Sequence, residues 1–145
     1  MAEAVLRARA ERDRLDVLVD SAGTAPQDFG SPPHPSARQV LERRGYPVPD
    51  HRARRVRPED FERFLLVLGM TRGHVRELEA LAPRGARAHI LPLLAFAPDT
   101  GTLDIPDPWS GGLADYEHAL DLIERGVEGL LDELRRPPTG RTVAD

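Results

Sequence analysis

The run FLLVLGM at residues 64–70 limits the fold more than any other stretch of this chain. It is apolar almost throughout, with no polar residue in alternation. A strand of that kind is buried on both faces, as strands of parallel sheets are. A second apolar run, AHILPL at residues 88–93, has the same character. Between the two, Thr71 can cap a helix that carries Val75, Leu78 and Leu81 and ends near Pro83. Strand, helix and strand in that order predict a parallel α/β sheet with helices packed on its faces.

The rest of the chain fits that plan. Residues 1–14 read as helix, with Met1, Ala4, Val5 and Ala8 on one face, although no Ser, Thr, Asp or Asn precedes the run to cap it. LDVLVD at 15–20 reads as a strand and SAGTAPQDFGSPPHP as a loop. Ser36 can cap a helix that stops at Gly45, and Pro58 suits the first position of a short helix. A long loop, AFAPDTGTLDIPDPWSGG, leads to a final helix from Leu113 to Arg135. There Tyr116, Leu120, Ile123, Val127, Leu130 and Leu134 form one apolar stripe. The expectation is one domain over residues 1–136, a disordered tail over 137–145, and three strands, which is few for such a sheet.

Composition removes several function classes. The chain has 145 residues and a net charge of −4, which gives no support to nucleic-acid or membrane-surface binding. No apolar run approaches the roughly 20 residues of a membrane span, and no signal peptide is evident. A cytoplasmic location is the default expectation. The chain contains no Cys, and all 20 basic residues are Arg. The residues offer no thiolate nucleophile, no disulfide and no evident metal or cofactor site.

Three segments carry chemistry. In DIPDPWSGG, Pro108 holds Asp107 in an extended conformation, so its carboxylate stands out on a stiff loop. Trp109 follows with a large flat face. A fixed acid beside an aromatic wall suits protonation of an aryl leaving group. VDSAGT at 19–24 ends a strand, where ligands of open α/β sheets bind, and Ser21 is placed to bond a neighbouring loop. HRARRV at 51–56 reads either as a solvated basic stretch with a surface His51 or as a phosphate contact. Each of these has an ordinary turn or surface reading when taken alone.

Taken in order, MAEAV, VDSAGT, GSPPHPSA, HRARRV, PEDF, LVLGM and IPDPW resemble the low-molecular-weight protein-tyrosine phosphatases, from Met1 to about Leu134. The resemblance implies a three-layer sandwich, a short parallel sheet flanked by helices. In that family a first, central strand and a Cys-(five residues)-Arg phosphate loop precede the MAEA segment. Met1 is therefore expected to be an internal methionine. The missing strand is expected to leave residues 15–20 and 64–70 about two strand spacings apart.

The implied reaction is hydrolysis of phosphotyrosine or an aryl phosphate through a phosphocysteine, without a cofactor. By resemblance Asp107 is the general acid and base, and Trp109 is a wall of the substrate cleft. Ser21 and His51 support the phosphate loop. Many relatives have an aromatic where this chain has Gln27, which bears on phosphotyrosine selectivity, and Phe29 would not point the same way. As written, the chain lacks the nucleophile and is expected to be inactive. Two alternatives are a pseudo-phosphatase that binds a partner and an arsenate reductase-like protein, the latter disfavoured because it needs several cysteines. The partner is expected to be a phosphotyrosine protein or a small aryl phosphate, and the oligomeric state stays open.

Overall fold

The computed structural model describes residues 1–24, 30–48, 50 and 52–136. Its elements are α1 (Ala2–Arg12), α2 (Pro35–Arg43), α3 (Asp60–Arg63), β1 (Leu66–Gly69), α4 (Arg72–Leu81), β2 (His89–Pro92) and α5 (Leu113–Arg135). Two 3-10 turns, Leu93–Phe96 and Pro98–Thr100, follow β2. The expected tail at 137–145 lies outside the described residues.

β1 and β2 pair in parallel, with Leu66 opposite His89 and Gly69 opposite Pro92. The helix α4 makes the crossover, as the two apolar runs predict. Thr71 caps it: its side-chain oxygen accepts from the His74 N–H at 3.1 Å. The short sheet flanked by helices is thus observed, but with two strands among the described residues and not three. Residues 15–19 have no ladder partner among the described residues, so the strand predicted over 15–20 is corrected to an irregular stretch. A strand needs a neighbour to receive its amides and carbonyls. Among the described residues, 16–19 have only a local bond, from the Val17 N–H to the Leu15 carbonyl at 3.2 Å, and an Arg7 side chain on the Val19 carbonyl at 2.7 Å.

The far edge of β1 is similarly bare. The His89 N–H donates to the Leu65 carbonyl at 2.8 Å, so Leu65, Val67 and Gly69 face β2 and Leu66 and Leu68 turn their backbone groups the other way. Those two residues have no backbone bond to any described residue outside the ladder. Large apolar side chains are exposed on the same stretches: Leu18 at 63% and Leu65 at 69%.

The core lies on the helical side. α5 packs on the first 3-10 turn, on α1 and on α2. Its Leu120, Ile123, Val127, Leu130 and Leu131 meet Val5, Val40, Leu41, Leu93 and Leu94 in one cluster. None of the fully buried apolar side chains belongs to β1 or β2. A part-buried ionic cluster seals the α1–α2–α5 junction. Arg44 pairs with Glu117 at 2.5 Å, Asp121 at 2.8 Å and Glu124, while Arg9 reaches Glu124 at 3.0 Å and the Tyr46 hydroxyl at 3.1 Å. α2 ends at Gly45, whose φ of +78° favours glycine, as expected. Its start is corrected. His34, not Ser36, is the capping residue, and its Nδ1 accepts from the Ser36 N–H at 3.1 Å.

One glycine is required by packing. A Cβ on Gly129 of α5 would stand 1.8 Å from the Phe96 carbonyl oxygen, a backbone atom that cannot swing aside. Gly129→Ala should therefore destabilise the protein by about 2 kcal/mol, the overpacking cost exceeding the gain of roughly 1 kcal/mol in helix propensity. Urea unfolding of this variant beside Glu128→Ala, an exposed neighbour expected to be near neutral, is the check.

Candidate active site

The IPDPW segment leaves the sheet at a defined point. The Ile105 N–H donates to the Met70 carbonyl at 2.9 Å, which hangs the loop just beyond the carboxyl end of β1. Ile105 is buried and serves as the apolar anchor. One residue earlier, Asp104 accepts from the Arg72 N–H at 2.8 Å and from its guanidinium at 2.9 Å, tying the loop to the start of α4. The guanidinium's hydrogen bond, first among the causes, holds the Asp104 carboxyl below its ordinary range.

Asp107 then projects into solvent. Its Oδ1 accepts from the Trp109 N–H at 3.0 Å, and the Gly111 N–H closes on the Pro108 carbonyl at 2.8 Å. The carboxylate is thus set by a local side-chain turn on a proline-stiffened loop, as the sequence implies. Trp109 is 60% exposed, and its ring meets the His34 ring edge-to-face at 5.3 Å between centroids. His34 in turn stacks on Tyr116 of α5 at 5.3 Å. Burial raises the Tyr116 phenol above its ordinary range, and the nearby negative charge of Asp107 adds to the effect. Asp107 and Trp109 are therefore neighbours, and sequence reasoning missed His34 and Tyr116. The only signal for His34 was its place between two prolines.

Ser21 is tied to α1. Its hydroxyl donates to Glu3 at 3.1 Å, a buried carboxylate in the first turn of α1. The stretch that follows is held to the basic segment: the Gly23 N–H reaches the Arg54 carbonyl at 2.8 Å, and the Val56 N–H returns to the Gly23 carbonyl at 3.0 Å. His51, Gln27 and Phe29 lie outside the described residues.

In the basic segment, Arg54 has a structural partner. Its guanidinium grips Asp60 with bonds of 2.9 and 3.1 Å and Asp20 with one of 3.0 Å. Asp60 is 6% exposed and also accepts from the Arg57 N–H at 2.8 Å. Burial alone would raise its carboxyl, but the bonds and charge of Arg54 and Arg57 bring it below the ordinary value. A carboxyl with a lowered folded pKa stabilises the protein above its unfolded pKa, about 4. That contribution is lost as pH falls through the folded value. Asp60→Ala should cost roughly 3 kcal/mol near neutrality by leaving Arg54 without this partner. Urea midpoints from neutral pH downward should show the two proteins converging below about pH 4.

Two open concavities, of about 250 and 190 Å³, flank α1 and do not include the Asp107 loop. Among the described residues no group of His, Asp or Glu is arranged to hold a metal ion, and no helix is long and apolar enough to cross a membrane.

A carboxylate and an aromatic face thus stand beyond the carboxyl end of a parallel strand, where open α/β sheets bind their ligands. Residues 1–139 match the family described as low molecular weight phosphotyrosine protein phosphatase, and the chain belongs to that family. A low molecular weight protein-tyrosine-phosphatase of Streptomyces coelicolor is 40% identical over 146 residues, covering 97% of this chain and 88% of its own. YfkJ of Bacillus subtilis, also described as a low molecular weight protein-tyrosine-phosphatase, is 31% identical over 138 residues, covering 94% and 87%. Its crystal structure superposes with a TM-score of 0.84 over 92% of this chain and 84% of that one. A protein tyrosine phosphatase from Entamoeba histolytica, crystallised with Hepes in its active site, gives 0.86 at 30% identity, covering 92% and 86%.

Proposed function

We propose that this chain is the greater part of a phosphomonoesterase acting on phosphotyrosine or an aryl phosphate, and that the 145 residues alone are inactive. The observation that carries the reading is Asp107, held on its stiff loop beside Trp109 at the carboxyl end of β1. A carboxylic acid there can give its proton to a phenolic oxygen as the P–O bond breaks. The attacking group is a thiolate from a Cys-(five residues)-Arg loop, and the phosphoryl group passes to its sulfur. Asp107, now a carboxylate, takes a proton from the water that displaces the cysteine from phosphorus. Trp109 lines the cleft for the aryl group, and Ser21 and His51 brace the phosphate loop.

The strand and loop that bring the nucleophile are assigned to the space between residues 15–20 and β1. Support comes from the unpaired backbone of 16–19, the bare edge at Leu66 and Leu68, and the exposed Leu18 and Leu65. Edges of that kind accept an added strand. The test is hydrolysis of para-nitrophenyl phosphate and phosphotyrosine peptides by the chain with and without the residues encoded upstream of Met1.

A further inference from the structure

Trp109 meets the helical frame at the His34 ring, and we infer that His34 is a positioning residue for Asp107, acting as a clamp on Trp109. This rests on the reading of Asp107 as the general acid. The His34 ring is fixed on two sides. Its Nδ1 accepts from the Ser36 N–H at 3.1 Å, which orients the imidazole along the start of α2 and places the proton of the neutral ring on Nε2. One face lies nearly parallel to the buried Tyr116 ring, with an interplanar angle of 16°. Pro33 and Pro35 restrict the backbone on either side of it.

A ring so constrained makes a rigid platform. The Trp109 indole meets it at 67°, an edge-to-face arrangement that aromatic quadrupoles favour. Among the described residues no other ring lies against Trp109. The Trp109 N–H is also the donor that holds Asp107 Oδ1 at 3.0 Å. Position is thus passed from the α2 cap to the imidazole, from the imidazole to the indole, and from the indole's own backbone to the carboxylate. The clamp joins two segments that are distant in sequence, GSPPHPS and IPDPW.

His34 does two jobs, and two substitutions separate them. His34→Asn keeps a good capping acceptor and removes the ring, while His34→Phe keeps a ring and removes the acceptor. Trp109 is the only tryptophan, so its near-ultraviolet circular-dichroism band reports how firmly the indole is held in the 145-residue protein. His34→Asn should weaken that band at least about twofold with the melting temperature near that of the parent. His34→Phe should retain the band and melt about 3–5 °C lower. A full band in His34→Asn, or a band lost equally in both variants, would overturn the clamp. Should His34→Asn fail to fold, His34→Phe decides alone, a retained band upholding the clamp and a lost one removing it. Neither readout uses turnover, so an inert Asp107 on a well-held loop would refute only the acid assignment.

Discussion

Purified 145-residue protein is expected to hydrolyse para-nitrophenyl phosphate no faster than buffer, and the upstream-extended form at least about 10⁶-fold faster. Covalent attack on phosphorus needs a nucleophile, and the chain holds no Cys. The two hydroxyls of the VDSAGT segment are engaged. Ser21 donates to Glu3 and Thr24 to Glu77, carboxylates too weakly basic to generate an alkoxide. Binding is expected to fail for a second reason, since in the proposed reaction the phosphate oxygens are held by the amides and Arg of a Cys-(five residues)-Arg loop, and the chain holds no Cys. The two proteins should be assayed side by side at equal concentration. Comparable rates would mean that the nucleophile lies within residues 1–145. An inert extended form would instead favour the pseudo-phosphatase reading.

In the extended protein, Asp107→Ala should lower turnover of poor-leaving-group aryl phosphates by about 10²–10⁴-fold. The loss should shrink as the leaving phenol becomes more acidic, because a stable phenolate departs without a proton. The geometry adds a sharper variant. Asp107 Oδ1 accepts from the Trp109 N–H, and an asparagine oxygen can accept the same bond. Asp107→Asn therefore keeps the turn and removes only the transferable proton. It should lose as much activity as Asp107→Ala. If Asn restores turnover, or if the loss is the same for every leaving group, Asp107 shapes the loop and donates no proton.

Local signals made some elements legible and left others hidden. The α5 stripe runs over six turns, and its limits, Leu113 and Arg135, are those expected from the apolar periodicity. Thr71 as a cap was also readable, because the hydroxyl and the helix it serves are adjacent in sequence. Residues 15–20 show the limit of such reading. Their composition is that of a strand, but strand pairing depends on a partner that composition does not supply. The end of α1 was misjudged for another reason. Arg14, not a glycine, takes the left-handed conformation there at φ 56°, and the chain turns into Leu15 one residue later. At α2 the capping rule favoured Ser36, whereas Pro35 fixes the first turn and leaves His34 to accept. For the site, Asp107 and Trp109 announced themselves through the flanking prolines. His34 and Tyr116 did not, since edge-to-face and stacked contacts across the fold leave no spacing to read.

The segregation of the buried side chains onto α5 and its partners has a consequence for how such a protein can change. β1 and β2 contribute no side chain to the fully buried apolar set, yet the Asp107 loop is hung from the end of β1. The buried apolar core and the Asp107 loop therefore occupy different layers. Local opening of the two-stranded ladder need not unlock the helical frame, so the two can behave as separate cooperative units. Variation in the loops that meet at the strand ends can then be sampled at small risk to folding, while the α5 interface, where even a methyl group on Gly129 collides with backbone, stays closed to variation.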